Sequence, residues 1–190
     1  MKHLTSTIAV LGALTLTPAL ASADRGFYGR RMAVGFSLGL GGMSDSGGSI
    51  ECINCNYGTL SGEFAAHLGG FVAPRVALLA ELQFNAQTLS TDGRDDTLLV
   101  QTGFMGAVQY WATPRFWLKG GLGFAHLTID DSYFSMTVDN GVAIMAAAGY
   151  ELASSRAFSV DLQGRVLNGM YSGIDENITA YTIGVGANWF

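Results

Sequence analysis

Residues 97–111 read TLLVQTGFMGAVQYW, and this stretch decides the fold. Large apolar side chains recur at every second position, Leu98, Phe104 and Tyr110 among them, while amides and small residues hold positions 101, 103, 107 and 109. Successive side chains of a β-strand point to opposite faces, so a period of two predicts a strand. A helix here would place glutamine amides in lipid, which excludes a transmembrane helix.

The same alternation recurs along the chain and predicts an eight-stranded protein. Each segment is longer than the ~5 to 6 residues usual in soluble sheets and meets the ~9 to 11 that a tilted strand needs to cross a bilayer. The predicted strands cover residues 32–43, 59–72, 76–88, 97–111, 116–129, 141–152, 157–168 and 178–190.

Composition narrows the class of protein. The 190 residues are 49% hydrophobic and only 13% charged, with 26 glycines, which is unusual for a soluble domain. The net charge of -5 argues against a nucleic-acid partner, because phosphate binding requires clustered basic residues.

The N-terminal residues 1–23 predict a cleaved secretory signal peptide. Lys2 and His3 precede a short apolar stretch that ends in Ala21-Ser22-Ala23, a small-x-small cleavage pattern. A membrane anchor is the weaker interpretation, since the apolar part is short. The domains expected are therefore the signal peptide, 1–23, and one barrel domain, 24–190.

Short and long connections alternate between the strands. The short ones contain Arg75, Arg115 and Arg156, whereas the four long ones, 44–58, 89–96, 130–140 and 169–177, are rich in acidic residues. This alternation predicts an up-and-down meander with one acidic face. Aromatic residues crowd both strand ends and predict two girdles at membrane interfaces; at the short turns they are Phe71, Tyr110, Trp111, Phe116, Trp117, Tyr150, Phe158, Trp189 and Phe190.

Such strands must close on themselves if they lie in a membrane. Each backbone N–H or C=O left without a partner in hydrocarbon costs several kcal/mol. We therefore predict an all-β fold, an eight-stranded antiparallel up-and-down transmembrane β-barrel with a filled interior. The alternative is a soluble ligand-binding barrel, which would need many more surface charges.

These features resemble the outer-membrane β-barrel superfamily of Gram-negative bacteria, of the OmpA-like and OmpX-like kind. They are the exported meander, the Pro-Arg turns, the acidic loops and the terminal Ala187-Asn188-Trp189-Phe190. The resemblance implies that Phe190 is the signal read by the barrel-assembly machinery. Phe190 is nevertheless out of phase with the apolar row of its strand. Either Trp189 is the lipid-facing end, or a bulge near Gly186 shifts the register.

Seven charged or titratable residues occupy the inward phase. Buried charges must pair and hydrogen-bond, so a structural salt-bridge network in the lumen is expected, with a gated ion or proton path as the alternative. The residues are Glu63, His67, Glu81, Lys119, Glu151, Asp161 and Arg165.

The two cysteines, Cys52 and Cys55, lie in the first long loop of an exported chain. A loop disulfide is the first expectation, with free thiols or a metal as alternatives. A structural zinc site would require four ligands, and no histidine is adjacent, so no metal is predicted. The glycines have no phosphate-loop context either, and no cofactor is expected.

His126-Leu127-Thr128 lies near the outer end of the fifth strand. It is similar to the His-x-Ser dyad of outer-membrane lipid A deacylases, although Thr128 stands where the resemblance would place a serine. A catalytic base also needs an orienting group, for which Asp130, Asp131 or Asp139 is available. The non-catalytic interpretation is that His126 and Thr128 are simply a polar pair at the membrane rim.

The sequence therefore predicts a non-enzymatic outer-membrane barrel with an envelope-integrity or surface-interaction role. Its expected partners are outer-membrane lipids, lipopolysaccharide and the barrel-assembly machinery, with the loop partner unknown. The alternatives are a lipid-modifying enzyme that uses His126 and a narrow pore for small solutes.

Overall fold

Eight long antiparallel strands make up the part of the chain that the structure, a computed structural model, describes. That part comprises residues 31–45, 55–91, 97–130, 135–155, 157–173 and 176–190. The strands are β1 (Met32–Ser44), β2 (Cys55–Ala73), β3 (Val76–Thr91), β4 (Thr97–Trp111), β5 (Phe116–Asp130), β6 (Ser135–Ser154), β7 (Phe158–Tyr171) and β8 (Glu176–Trp189).

Each strand pairs with its neighbours in sequence, and β1 pairs with β8, so the sheet closes into a barrel. The prediction of an eight-stranded antiparallel up-and-down barrel is confirmed. The backbone groups of the strands are thus bonded within the sheet, as closure requires. The predicted signal peptide, residues 1–23, lies outside the described residues.

Burial alternates along the strands, with an almost entirely apolar row of side chains outside and a mixed row of small, polar and large apolar side chains inside. In β4, Phe104 and Val108 are exposed, whereas Gln101, Met105 and Gln109 are buried. The same outward phase exposes large apolar side chains around the whole barrel, for example Leu38, Leu60, Val72, Leu122, Phe124, Ile144, Leu162 and Ile183. The outer wall is therefore apolar, the reverse of a soluble barrel.

Glycine makes the narrow interior possible at the position where Trp117 enters it. An ideal Cβ built on Gly149 would collide with the indole ring of Trp117, which is fully buried. The two residues are direct cross-strand partners in β5 and β6. The indole of Trp117 therefore occupies the space that a side chain at position 149 would fill.

The strands extend beyond their predicted ends on the long-loop side. β6 begins at Ser135 rather than at residue 141, and β2 begins at Cys55 rather than at residue 59. In β6 the predicted start fell where the outward positions become polar, at Thr137 and Asn140. Hairpins that project past an apolar wall keep their ladder hydrogen bonds without outward apolar side chains, so hydropathy did not mark these segments.

The last strand runs in register with both neighbours. Its pairing with β1 and with β7 shows no register shift near Gly186. Trp189 is the outward residue, 44% exposed and packed against the rings of Phe36 and Phe158. Of the two alternatives for this strand, the one in which Trp189 is the outward-facing end is observed, without a bulge near Gly186.

Across the described ranges we find no helix with the length and apolar character needed to cross a membrane.

Candidate functional site

The centre of the lumen holds a buried ion cluster built from four strands. Lys119 Nζ lies 2.9 Å from Glu81 Oε2, and Arg165 Nη1 contacts the other oxygen of the same carboxylate. Arg165 Nε lies 3.7 Å from Glu63 Oε1. Because β2, β3, β5 and β7 supply one residue each, the cluster ties distant parts of the wall together.

Neutral side chains add hydrogen bonds to the charged groups of the cluster. The Ser37 hydroxyl donates to Glu63 Oε1 at 3.3 Å, and Arg165 Nε donates to Gln163 Oε1 at 3.3 Å. These donors and acceptors replace part of the water that the charges lose on burial. Sequence reasoning did not assign Ser37 a role here, although it lies in the inward phase.

The other three predicted lumen residues are buried as well, but they are held differently. Asp161 Oδ2 accepts a hydrogen bond from Asn188 Nδ2 at 2.6 Å, and Glu151 Oε1 accepts one from Trp111 Nε1 at 2.9 Å. The imidazole of His67 packs over Gly35, on the opposite strand β1. Among the described residues, ion pairs therefore join four of these seven side chains, and the other three are also buried in the lumen.

Aromatic rings close the short-turn end of the lumen. Phe71 lies 5.2 Å from Trp111 and 6.0 Å from Phe190 between ring centroids, and Trp111 lies 6.1 Å from Phe190. Trp117 follows above them, with Lys119 Nζ 5.3 Å from its ring. The prediction that these four rings belong to an interface girdle was wrong. They share the inward phase and pack into the core, whereas Tyr110, Tyr150 and Trp189 do face outward.

Above the ion cluster, one side of the lumen is apolar and tightly packed. Met105, Met145 and Leu167 are fully buried there. Near the outer end, Gln101 Nε2 donates to Tyr171 Oη at 3.2 Å and to the backbone oxygen of Ile178 at 3.0 Å. The interior is thus filled by side chains from one end to the other, as expected for eight strands.

His126 lies on the outer wall, directly above Phe124. Its Nδ1 is 2.5 Å from Asn140 Oδ1, and its Nε2 is 3.5 Å from Thr137 Oγ1. A bulge in the β5–β6 pairing sets Thr128 opposite Thr137. The hydroxyl that His126 contacts is therefore that of Thr137, on the neighbouring strand.

Of the three carboxylates offered as the orienting group for His126, Asp130 lies at the end of β5, opposite Leu98 and Ser135, and Asp139 makes other hydrogen bonds. Asp139 accepts the backbone N–H of Gly173 at 2.6 Å and that of Asn140 at 2.7 Å. Asp131 lies outside the described residues. The group that faces His126 Nδ1 is the neutral amide of Asn140.

The expected disulfide falls on the first long loop, and Cys52 lies outside the described residues. The pairing of Cys52 with Cys55 stays a prediction. Within the described ranges, no group of three or more His, Cys, Asp or Glu side chains is arranged to hold a metal ion.

Comparisons with known proteins find likeness in structure but not in sequence. No protein-family model matches the chain, and no curated protein matches it. Ail, the attachment invasion locus protein of Yersinia pestis, superposes with a TM-score of 0.58 at 10% identity, over 84% of this chain and 98% of Ail. Neisserial surface protein A superposes with a TM-score of 0.62 at 12% identity, over 83% of this chain and 95% of that protein. The chain therefore has the fold of the eight-stranded outer-membrane β-barrels.

Proposed function

We propose that this chain is an integral outer-membrane barrel with a structural or surface-interaction role and no catalysis. The observation that carries the proposal is the inside-out distribution of side chains, with an apolar wall around a lumen filled by ion pairs and rings. An apolar wall of this kind is stable in contact with acyl chains and would aggregate in water.

The filled lumen favours this role over the narrow pore. The rings of Phe71, Trp111 and Phe190 close one end, and the cross-wall ion pairs of Glu81 occupy the centre. A solute would have to break buried pairs at a cost of several kcal/mol in order to pass. We expect no steady single-channel conductance from the purified barrel in planar bilayers. Reproducible open levels in the wild type would favour the pore instead.

Membrane insertion is tested by fractionation and electrophoresis. Outer-membrane extracts should contain the protein in a form that migrates differently before and after boiling, because a closed barrel resists unfolding by detergent alone. A label that reacts only from within acyl chains should modify Cys substituted at Val34 or Phe104, both exposed on the wall, and should not modify Cys at the buried Ala143. A mature chain that stays soluble without detergent would contradict the proposal.

The partners follow from the same location. We propose that outer-membrane lipids and lipopolysaccharide surround the apolar wall, and that the barrel-assembly machinery recognises Phe190 during insertion. Replacing Phe190 by Ala should slow insertion in cells, while the matched variant Phe158→Ala should insert at the normal rate.

The disulfide between Cys52 and Cys55 is part of this proposal, and titration of free thiols on the unreduced protein tests it.

A second candidate function is lipid modification at His126. An imidazole between a hydroxyl and an amide oxygen has the order of groups found in some nucleophilic hydrolases, and this one faces outward next to the apolar wall. An Nδ1–H tautomer would donate to Asn140 and leave Nε2 to accept the Thr137 proton.

The test is release of fatty acid from lipopolysaccharide by the purified protein. The enzyme hypothesis requires release by the wild type, loss in His126→Ala and in Thr137→Val, and retention in Thr128→Val. Absence of release by the folded wild-type protein would leave the non-catalytic role as the function.

A further inference from the structure

The short-turn end of the barrel carries the same basic arrangement three times. Arg31, Arg75 and Arg115 each stand immediately before the first residue of a strand, namely β1, β3 and β5. Backbone hydrogen bonds hold each arginine at the edge of the sheet, because its carbonyl oxygen accepts an N–H from the neighbouring strand, at 3.1, 3.0 and 2.7 Å respectively. We call these three residues the basic rim.

The basic rim adjoins the apolar wall directly. Met32 and Phe116, which follow two of the arginines, face outward and are 57% and 36% exposed. Since successive strand residues are ~3.3 Å apart, the cations lie within one residue of the wall. The outward rings of Tyr110, Tyr150 and Trp189 share this end, and such rings favour the headgroup level of a bilayer. In the membrane location proposed above, the basic rim therefore meets lipid headgroups.

Two of the arginines meet at one turn. Arg75 Nη1 donates to the backbone oxygen of Ala112 at 3.4 Å, and Ala112 begins the turn that carries Arg115. The hydroxyl of Thr113 fixes this turn, because it accepts the N–H groups of Arg115 at 3.3 Å and of Phe116 at 2.9 Å. One guanidinium group thus contacts the turn to which another is attached. Guanidinium groups bind phosphate oxygens through paired hydrogen bonds, so this arrangement suits a phosphate.

The accessible carboxylates lie at the opposite end of the barrel. Among the side chains that the structure describes, the acidic ones that are not buried are Asp45, Asp130 and Asp139, at the long-loop ends of β1, β5 and β6. The two faces of the barrel therefore differ in the sign of their charge.

The acidic residues nearer the basic rim are enclosed in the lumen. Glu151 and Asp161 are both 1% exposed and accept hydrogen bonds from an indole and an amide. Within the described ranges, no ion pair joins a carboxylate to Arg31 or Arg115. Counting the terminal carboxylate of Phe190 against the three arginines still leaves an excess of two positive charges among the described residues at this end.

We propose that the basic rim binds the phosphate groups of anionic phospholipids in the leaflet at the short-turn end. This inference rests on the membrane insertion proposed above. Arginines beside a bilayer attract anionic headgroups, and the acyl chains of the same lipids would lie against Met32 and Phe116. An acidic polymer in solution would use the charges but not the adjoining apolar wall, so the phospholipid fits both features.

Trp189 allows the lipids beside Arg31 to be measured. It faces outward, whereas Trp111 and Trp117 are buried, and its cross-strand partner on β1 is Val34. The full barrel is refolded into phosphatidylcholine vesicles that contain a minor fraction of phosphatidylglycerol, with bromine on the acyl chains of one lipid or the other. Per molecule of brominated lipid, phosphatidylglycerol should quench the fluorescence about threefold more strongly. Trp189→Phe gives the background from the buried indoles, and both leaflets have one composition, so orientation does not matter.

A second reporter makes the test reciprocal. Phe116→Trp in the Trp189→Phe background places an indole beside Arg115. Arg31→Gln should lower the lipid preference read at Trp189 and leave that read at position 116, and Arg115→Gln should do the reverse. Arg115→Lys keeps the charge and should retain part of the preference. Asn177→Asp is the matched control, because it lowers the net charge equally but at the long-loop end, and it should change neither reading.

The outcomes separate this inference from the proposed function. Quenching by both brominated lipids to the same degree would overturn the inference while confirming insertion, as would a preference that survives both Arg→Gln changes or is unaffected by high salt. Absence of quenching by either lipid would overturn insertion and the inference together. Binding of the detergent-refolded barrel to purified peptidoglycan, lost in the same variants and without any lipid preference, would assign the basic rim to an acidic polymer instead.

Discussion

Glu81 is the carboxylate that pairs with both cations of the ion cluster in the lumen. Its two carboxylate oxygens each contact a different cation, and the side chain is fully buried. Replacing Glu81 by Gln leaves Lys119 and Arg165 without that compensation, and we expect a loss of about 3–5 kcal/mol in the free energy of unfolding. Urea titration of the refolded barrel measures it.

A double variant separates charge from packing at the same position. Adding Lys119→Met to Glu81→Gln removes one uncompensated cation and should recover part of the stability. No recovery in the double variant would mean that the loss comes from packing around position 81 rather than from unpaired charge.

Gly149 provides a second prediction for a single residue. A Cβ at this position would collide with the buried ring of Trp117, so Gly149→Ala should cost about 1–3 kcal/mol through overpacking. Gly120→Ala is the matched control, because its Cβ would meet nothing nearer than a backbone oxygen at 4.0 Å. Equal unfolding midpoints for the two variants would contradict the role assigned to Gly149.

At the level of the strands, the extended part of β6 is tied to the β7–β8 turn. Asp139 Oδ2 accepts the backbone N–H of Gly173 at 2.6 Å, across two different hairpins. In Asp139→Ala we expect the Gly173 amide to exchange its hydrogen roughly tenfold faster, with little change in the unfolding midpoint. Asp130→Ala should leave this amide unaffected, and hydrogen-exchange NMR would show whether it does.

The strands themselves could be predicted from sequence because the alternation of residues such as Phe104 and Met105 follows directly from the pleat. Their outer ends could not, since the outward positions of β6 become polar there, at Thr137 and Asn140. The choice of Glu81 as the shared partner of Lys119 and Arg165 was also beyond sequence reasoning. It depends on the tilt and stagger of a closed barrel, which determine which inward positions face each other across the lumen.

For the whole molecule, the apolar wall makes stability depend on depth in the membrane. Phe104 is exposed in the middle of β4, and Phe104→Arg should cost about 2–4 kcal/mol in lipid vesicles. Met32 is equally exposed but begins β1 at the short-turn end, so Met32→Arg should cost only about 0–1 kcal/mol. Equal costs, measured by urea titration in vesicles, would show that the two positions share one environment.

The inward ring of Phe190 limits when the assembly machinery proposed above could recognise it. In the finished barrel the ring is already engaged by Phe71 and Trp111, while Trp189 takes the outward place. A receptor could bind this ring only while β8 is not yet paired with β1. Closure of the barrel would then move the Phe190 ring into the lumen. The same step would release the folded protein from the receptor.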